Sequence, residues 1–198
     1  MKTTVLRALA LAIIFGGLVF HAAEAQDLSG KHVAVIIADG FHDAETLSPV
    51  FHLRNHNVDT TFIGFEKGFI SAYNSDVSVE IQKTLAEVDV DEFDAVILPG
   101  GGSPAVLREN RDVLRFLRAF AETGRPIAGI CHGPQVMASA GIVDGVELTG
   151  FSAIRNEMTE AGGIFVDREV VVDGPFITSR IPEDLPAFND AIVEALLN

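Results

Sequence analysis

The sequence has 198 residues, 48% of them apolar, and 28 acidic against 14 basic side chains give a formal charge of −14. That length and apolar content suffice for one folded domain with a full core. So acidic a chain, with no basic stripe to offset it, excludes a nucleic-acid or anionic-membrane surface, and the lone cysteine excludes an internal disulfide.

In chain order, residues 1–25 read as a secretory signal peptide. Lys2 and Arg7 form a basic n-region, Ala8 to Phe20 an apolar h-region, and Ala23-Glu24-Ala25 a small-x-small cleavage site. The apolar core falls short of the ~20 residues of a membrane span, so cleavage is favoured over a retained anchor. The implied location is periplasmic or secreted. Residues 26–198 then form the folded domain, with 12 basic and 27 acidic side chains and a charge of −15.

Lys31 to Ala38 is a near-continuous apolar run, the mark of a strand buried on both faces of a parallel sheet. Asp39-Gly40 turns it into a helix over Asp43 to Asn57, with Leu47, Val50, Phe51 and Leu53 inward and a kink at Pro49. A second strand covers Val58 to Gly64. Gly68 to Ile81 alternates about Asn74-Ser75 as a β-hairpin. Ala95 to Leu98 is another buried strand, ending in Pro99-Gly100-Gly101-Gly102. Ser103 is placed as an N-cap with Pro104 the first helical residue.

Arg111 to Thr123 carries Val113, Leu114, Leu117 and Phe120 on one face, and Gly124 closes that helix. After the strand Pro126 to Ile130 come helical Pro134 to Ala140, extended Val146 to Thr149 and helical Ser152 to Ala161. A hairpin over Phe165 to Val172, a core strand Phe176 to Ser179 and a final helix Glu183 to Leu197 complete the chain. The alternation implies an α/β fold: a flavodoxin-like, doubly wound, mostly parallel sheet with helices on both faces, in strand order 2-1-3-4-5. Three turns then meet at the carboxyl ends of the strands: those after Ala38, Leu98 and Ile130.

Gly129-Ile130-Cys131-His132-Gly133 has the Gly-x-Cys-x-Gly pattern of a nucleophile elbow, with sulfur in place of a serine oxygen. A cysteine there sits at a helix N-terminus, where unpaired N–H groups favour the thiolate. The competing reading is a small buried core residue. Gly101 and Gly102 offer backbone amides that, with the amide of His132, could form an oxyanion hole, or else make only a tight turn. Glu45 is either a protonated carboxyl that hydrogen-bonds the sulfur or an ordinary first-turn acid. His132 is either a base or a structural hydrogen-bonder. Arg180 either positions an anion or is a surface charge.

The i, i+4 pair His52 and His56 lacks a third metal ligand, and a mixed site of Cys131, His132, Glu45 and His42 is a weak alternative, so no metal is expected. Class I glutamine amidotransferases share the cysteine elbow but need a downstream His-x-Glu. Every histidine here lies at or before the elbow, which excludes that triad.

Ile130-Cys131-His132-Gly133-Pro134-Gln135, Leu98-Pro99-Gly100-Gly101, Ala38-Asp39-Gly40-Phe41 with Glu45, and Val170-Val171-Val172-Asp173-Gly174 with Thr178-Ser179-Arg180 together resemble the PfpI family, of the DJ-one superfamily. The resemblance spans residues 31 to 197. It implies a flavodoxin-like fold, a homodimer or higher oligomer, and no cofactor. It implies Cys131 as nucleophile, Glu45 as the acid bonded to it, His132 as the dyad histidine, and the amides of Gly101 and His132 as the oxyanion hole. Activities of such proteins include glutathione-independent glyoxalase, deglycase, cysteine peptidase, and oxidation sensing or chaperoning.

Two positions depart from the pattern. Ala105 stands where peptidase-like members carry an acid that reaches a neighbouring subunit, and His42 stands where relatives often carry Glu. The expectation is therefore a cysteine-dependent enzyme acting on a small carbonyl or glycated substrate, with His42 and Arg180 binding it. The alternatives are a cysteine hydrolase or peptidase and, in a different class, a redox sensor or holdase.

Overall fold

The computed structural model describes residues 26–198. The expected signal segment lies outside the described residues. Strand β1 (His32–Ile36) leads into helix α1 (Asp43–Asn55), then β2 (Asp59–Gly64), β3 (Gly68–Ser71), β4 (Ser78–Ile81) and the short β5 (Lys83–Thr84). β6 (Ala95–Leu98), α2 (Ser103–Leu107), α3 (Arg111–Glu122), β7 (Ile127–Ile130) and α4 (Pro134–Ala140) follow. The chain ends with β8 (Glu147–Leu148), α5 (Arg155–Glu160), β9 (Ile164–Phe165), β10 (Val170–Asp173), β11 (Phe176–Ser179) and α6 (Leu185–Leu197).

The central sheet has seven strands in the order β10-β11-β7-β6-β1-β2-β5, and only the edge strand β10 is antiparallel to its neighbour. Its five middle strands run in the expected flavodoxin-like order. β1 explains why the sheet is wound on both faces. Val33, Val35 and Ile37 pack into one apolar cluster with Val50 and Leu53 of α1 and Phe188 and Ile192 of α6. The intervening Ala34, Ile36 and Ala38 pack into the other, with Leu107, Leu117, Phe120 and Met137 of α2, α3 and α4. The two-residue period of a strand sends alternate side chains to opposite layers, so a strand covered on both sides must be apolar throughout.

Local signals fix most boundaries. Asn110 accepts hydrogen bonds from the amides of Asp112 and Val113 and so starts α3, a cap worth about 1 kcal/mol. α1 runs unbroken through Pro49. The β3–β4 hairpin pairs Ser71 with Ser78 and Gly68 with Ile81, and so centres on Asn74-Ser75 as the alternation predicts.

Three expectations are corrected. Phe51 is 55% exposed, because the buried face of α1 is set by Thr46, Pro49, Val50 and Leu53. No hairpin spans Phe165 to Val172. β9 instead pairs with β8 in parallel, and β10 pairs with β11 across Gly174-Pro175. Ser103 is the first residue of α2 rather than its cap, and its buried hydroxyl accepts the Ala38 amide at 2.8 Å. That bond ties the end of the first strand to the turn after β6. Among the described residues no helix is long and apolar enough to cross a membrane.

Candidate active site

The three strand-end turns converge as the topology requires. After β7 the chain enters Cys131 at φ 61°, one of two non-glycine residues with positive φ among the described residues. Such a conformation costs on the order of 1–3 kcal/mol and persists only where its surroundings over-determine it. Here the Cys131 amide donates to the Ser179 carbonyl at 3.0 Å, and its carbonyl accepts the Phe151 amide at 2.9 Å. Gly133 then donates to the Ile130 carbonyl at 2.7 Å to start α4. A side chain at Gly133 would collide with the Leu98 carbonyl and come within 2.9 Å of the Ile130 carbonyl. The elbow is therefore restricted to glycine on its helix side by the adjacent strand.

The turn after β6 packs against the turn after β1. Gly102 donates to the Gly40 carbonyl at 2.7 Å, and His42 donates to the Gly100 carbonyl at 3.3 Å. These two bonds bracket an isolated antiparallel bridge between Phe41 and Gly101. Gly101, at φ 80°, presents its amide to the Cys131 sulfur, as does the backbone of His132. The sequence expectation is thus corrected at one residue. The Gly102 amide is taken by Gly40, so the two donors at the sulfur are Gly101 and His132.

Glu45, in the first turn of α1, is fully buried. Its Oε2 accepts the Gly100 amide at 3.1 Å. A methyl group on Gly100 would collide with Glu45 Oε2 and lie 2.6 Å from Cys131 Cβ and 3.1 Å from its sulfur. Carboxyl and thiol therefore meet at one bare peptide. Glu45 Oε1 is buried without a hydrogen-bond partner among the described residues. Burial pushes Glu45 up to about 7, against the lowering effect of its contacts with Cys131 and the Gly100 amide.

Burial and the Glu45 carboxylate likewise push the Cys131 thiol up to about 12, outweighing the amides of Gly101 and His132, which lower it. Burial thus opposes the thiolate that the helix terminus favours, and Cys131 and Glu45, buried together, titrate as a pair.

His132 reaches the sulfur despite being its neighbour in sequence. The distorted elbow places Nδ1 3.2 Å from Sγ, and the ring packs on Phe151 at 5.1 Å. Burial lowers the imidazole, opposed by Glu157. Cys131 is 8% exposed, enough for its side chain to help line a cavity of about 530 Å³. His42, Tyr73, Gly101, His132, Phe151 and Ile181 form much of the wall.

Tyr73 and Phe151 were not singled out in the sequence. The signal for Tyr73 is its place beside the Asn74-Ser75 turn, which folds back so that the Tyr73 amide bonds the Phe41 carbonyl at 3.1 Å. Phe151 carries no local signal beyond its position after β8.

Arg180 is the other correction. It does not line this cavity. Its guanidinium is taken by Asp184, through Nε at 2.8 Å and Nη2 at 3.1 Å, and by Asp167 at 2.6 Å. The expected substrate-binding role is replaced by an ion-pair network. His52 and His56 lie side by side at 5.1 Å. Among the described residues no group of three His, Cys, Asp or Glu could hold a metal ion.

Comparison with known proteins extends this geometry. The DJ-1/PfpI family model matches residues 31–195. The chain belongs to the DJ-1/PfpI family. It is 42% identical over 161 residues to protein/nucleic acid deglycase 2 of Escherichia coli, covering 80% of this chain and 94% of that one. It is 39% identical over 164 residues to deglycase PfpI of Pyrococcus furiosus, covering 83% and 98%. A solved two-domain protein of Anabaena variabilis, containing DJ-1/ThiJ/PfpI-like and ferritin-like domains, aligns with TM-score 0.82 and 35% identity. That alignment covers 84% of this chain and about half (48%) of the two-domain protein.

Proposed function

We propose that the protein is an exported, cysteine-dependent enzyme acting on small reactive carbonyls, of the glutathione-independent glyoxalase or deglycase type. One observation carries the reading: the Cys131 thiol and the Glu45 carboxyl share the bare Gly100 peptide at the floor of a small cavity. The deglycase names of the relatives support the substrate class. The signal-like residues 1–25 support export.

In this mechanism the thiol proton passes to Glu45 as sulfur attacks an aldehyde carbon. The developing oxyanion lies against the amides of Gly101 and His132 and is protonated from Glu45, giving a hemithioacetal. With an α-oxoaldehyde, an enediol-type rearrangement converts the hemithioacetal to a thioester. His132 passes the proton of the first hydroxyl to the neighbouring oxygen. Water then cleaves the thioester, releasing a 2-hydroxy acid and the thiol.

Ala105 offers no acid for the peptidase triad that the family resemblance implies. The test is lactate formation from methylglyoxal by the mature protein. Cys131→Ala is expected to reduce it to background. Turnover at the wild-type rate in that variant would reject the reading.

A further inference from the structure

We propose that His42, braced by Asp43 and Tyr73, carries the carbon-bound proton from C1 to C2 of an α-oxoaldehyde joined through C1 to Cys131. The proposal rests on the cysteine-dependent reading above. It adds a second acid–base group and narrows the substrate to adjacent carbonyls.

The chemistry needs such a group. Two protons move in the rearrangement, one between oxygens and one between carbons. His132 Nδ1 is already turned to the sulfur at 3.2 Å, and Glu45, which also lines the cavity, has its Oε2 held by the Gly100 amide and serves the sulfur and its oxyanion. His42 enters the same cavity from the turn after β1, with its backbone against Gly101.

The surroundings of His42 suit a proton carrier. Its Nδ1 is buried with no partner in hydrogen-bond geometry among the described residues, yet it lies 3.4 Å from Asp43 Oδ1. Asp43 is itself fixed by the Asn74 amide group at 2.8 Å. The Tyr73 ring packs edge-on at 5.7 Å, so the imidazole is held from the hairpin side as well. The charged and titratable groups facing it are Asp43 on its own helix, Tyr73 from the hairpin and Glu183 from the segment before α6. Burial lowers the imidazole, so the neutral base is the resting form, and Asp43 and Glu183 favour the imidazolium once it forms.

The step balances within the substrate. Neutral His42 takes the C1 proton of the hemithioacetal, and the electron pair of that bond becomes the C1=C2 double bond. The former carbonyl pair goes to the C2 oxygen, which receives the C1 hydroxyl proton through His132. The C1 oxygen then closes to the thioester carbonyl, and the double-bond pair takes the proton of His42 imidazolium at C2. C1 is oxidised and C2 reduced, with no external oxidant.

The experiment uses the mature protein with methylglyoxal. His42→Gln and His42→Asn are compared with Cys131→Ala and wild type for lactate formation, alkylation of Cys131 and intact mass. We expect lactate formation to fall ~100-fold or more in both His42 variants. Alkylation of Cys131 should stay within about twofold, since the thiol is untouched, and a hemithioacetal adduct should accumulate. Asp43→Asn should lower kcat about tenfold at unchanged KM.

His42 variants within threefold of wild type, with Cys131→Ala inactive, would overturn the His42 role and leave the cysteine reading standing. A loss that tracks slowed alkylation would also overturn it, because His42 would then act on the thiol. If wild type forms no lactate, both readings fall.

Discussion

Replacing Glu45 with Gln tests the electrostatic basis of the site through stability alone. The substitution keeps the shape and an acceptor for the Gly100 amide, and removes the titration. Glu45 is fully buried, and burial raises it from 4.5 to about 7. Each tenfold difference in proton affinity is ~1.4 kcal/mol, so ionising Glu45 in the folded protein costs roughly 3 kcal/mol. The folded state binds this proton more tightly than the unfolded chain. Wild-type stability should therefore fall as pH rises from 4.5 through 7 and level off above, relative to the variant. Urea unfolding of both proteins at pH 5, 6, 7 and 8 reads the difference directly. The partly buried histidines His42 and His132 contribute to both curves and cancel. Parallel curves for wild type and Glu45→Gln would refute the claim that burial holds this carboxyl high.

Two contrasts follow from the turns. Gly100→Ala should lower stability by about 1–3 kcal/mol and abolish turnover, because its methyl group would lie 2.6 Å from Cys131 Cβ. Gly102→Ala should keep activity within about threefold, because its methyl would meet only the Gly40 carbonyl at 3.3 Å and its amide bond is retained. Steady-state kinetics and chemical denaturation check both, and an inactive Gly102→Ala would restore that residue to the reacting centre. Arg180→Gln should leave kcat/KM within about twofold and lower the melting temperature, since its partners are Asp184 and Asp167 rather than the cavity. A KM raised severalfold at unchanged stability would reinstate it as a binding residue.

Much of the fold is legible because buried parallel strands have no polar face. The runs ending at Ala38, Leu98 and Ile130 announce themselves, and their order places three turns together. The β3–β4 hairpin is legible because its register is local. The failures are non-local or fall between periods. β9 pairs with Glu147-Leu148 rather than with its neighbours in sequence, and nothing in the two residues Ile164-Phe165 indicates that. The Asp173-Gly174-Pro175 turn between two apolar runs was the available signal for the true hairpin.

Phe51 misled because a phenylalanine among helical apolar residues suggests a core position. The inward face instead follows Thr46, Pro49, Val50 and Leu53 at the i, i+3, i+4, i+7 spacing. At the site, residue type and turn position pointed to Cys131, Glu45, Gly101 and His132. Whether an amide is free or already bonded is a property of backbone pairing, and so the spent amide of Gly102 was invisible.

The high proton affinities of both acids do not argue against a nucleophilic thiol, because the two groups are buried together. Burial first, and then the charge of Glu45 beside it, push the Cys131 thiol up to about 12 when it must ionise alone. Transfer of its proton to Glu45 creates no new charge. It relocates one anion between two atoms that flank the same peptide, and the burial penalty is nearly the same on either side. What then decides the tautomer is local. The Gly100 amide stabilises the charge on oxygen, and the amides of Gly101 and His132 stabilise it on sulfur. An approaching carbonyl tips the balance, since its oxygen takes over those two amides as the sulfur bonds to carbon. Reactivity thus comes from the short proton path across Gly100, and it does not require a thiol that is acidic at rest.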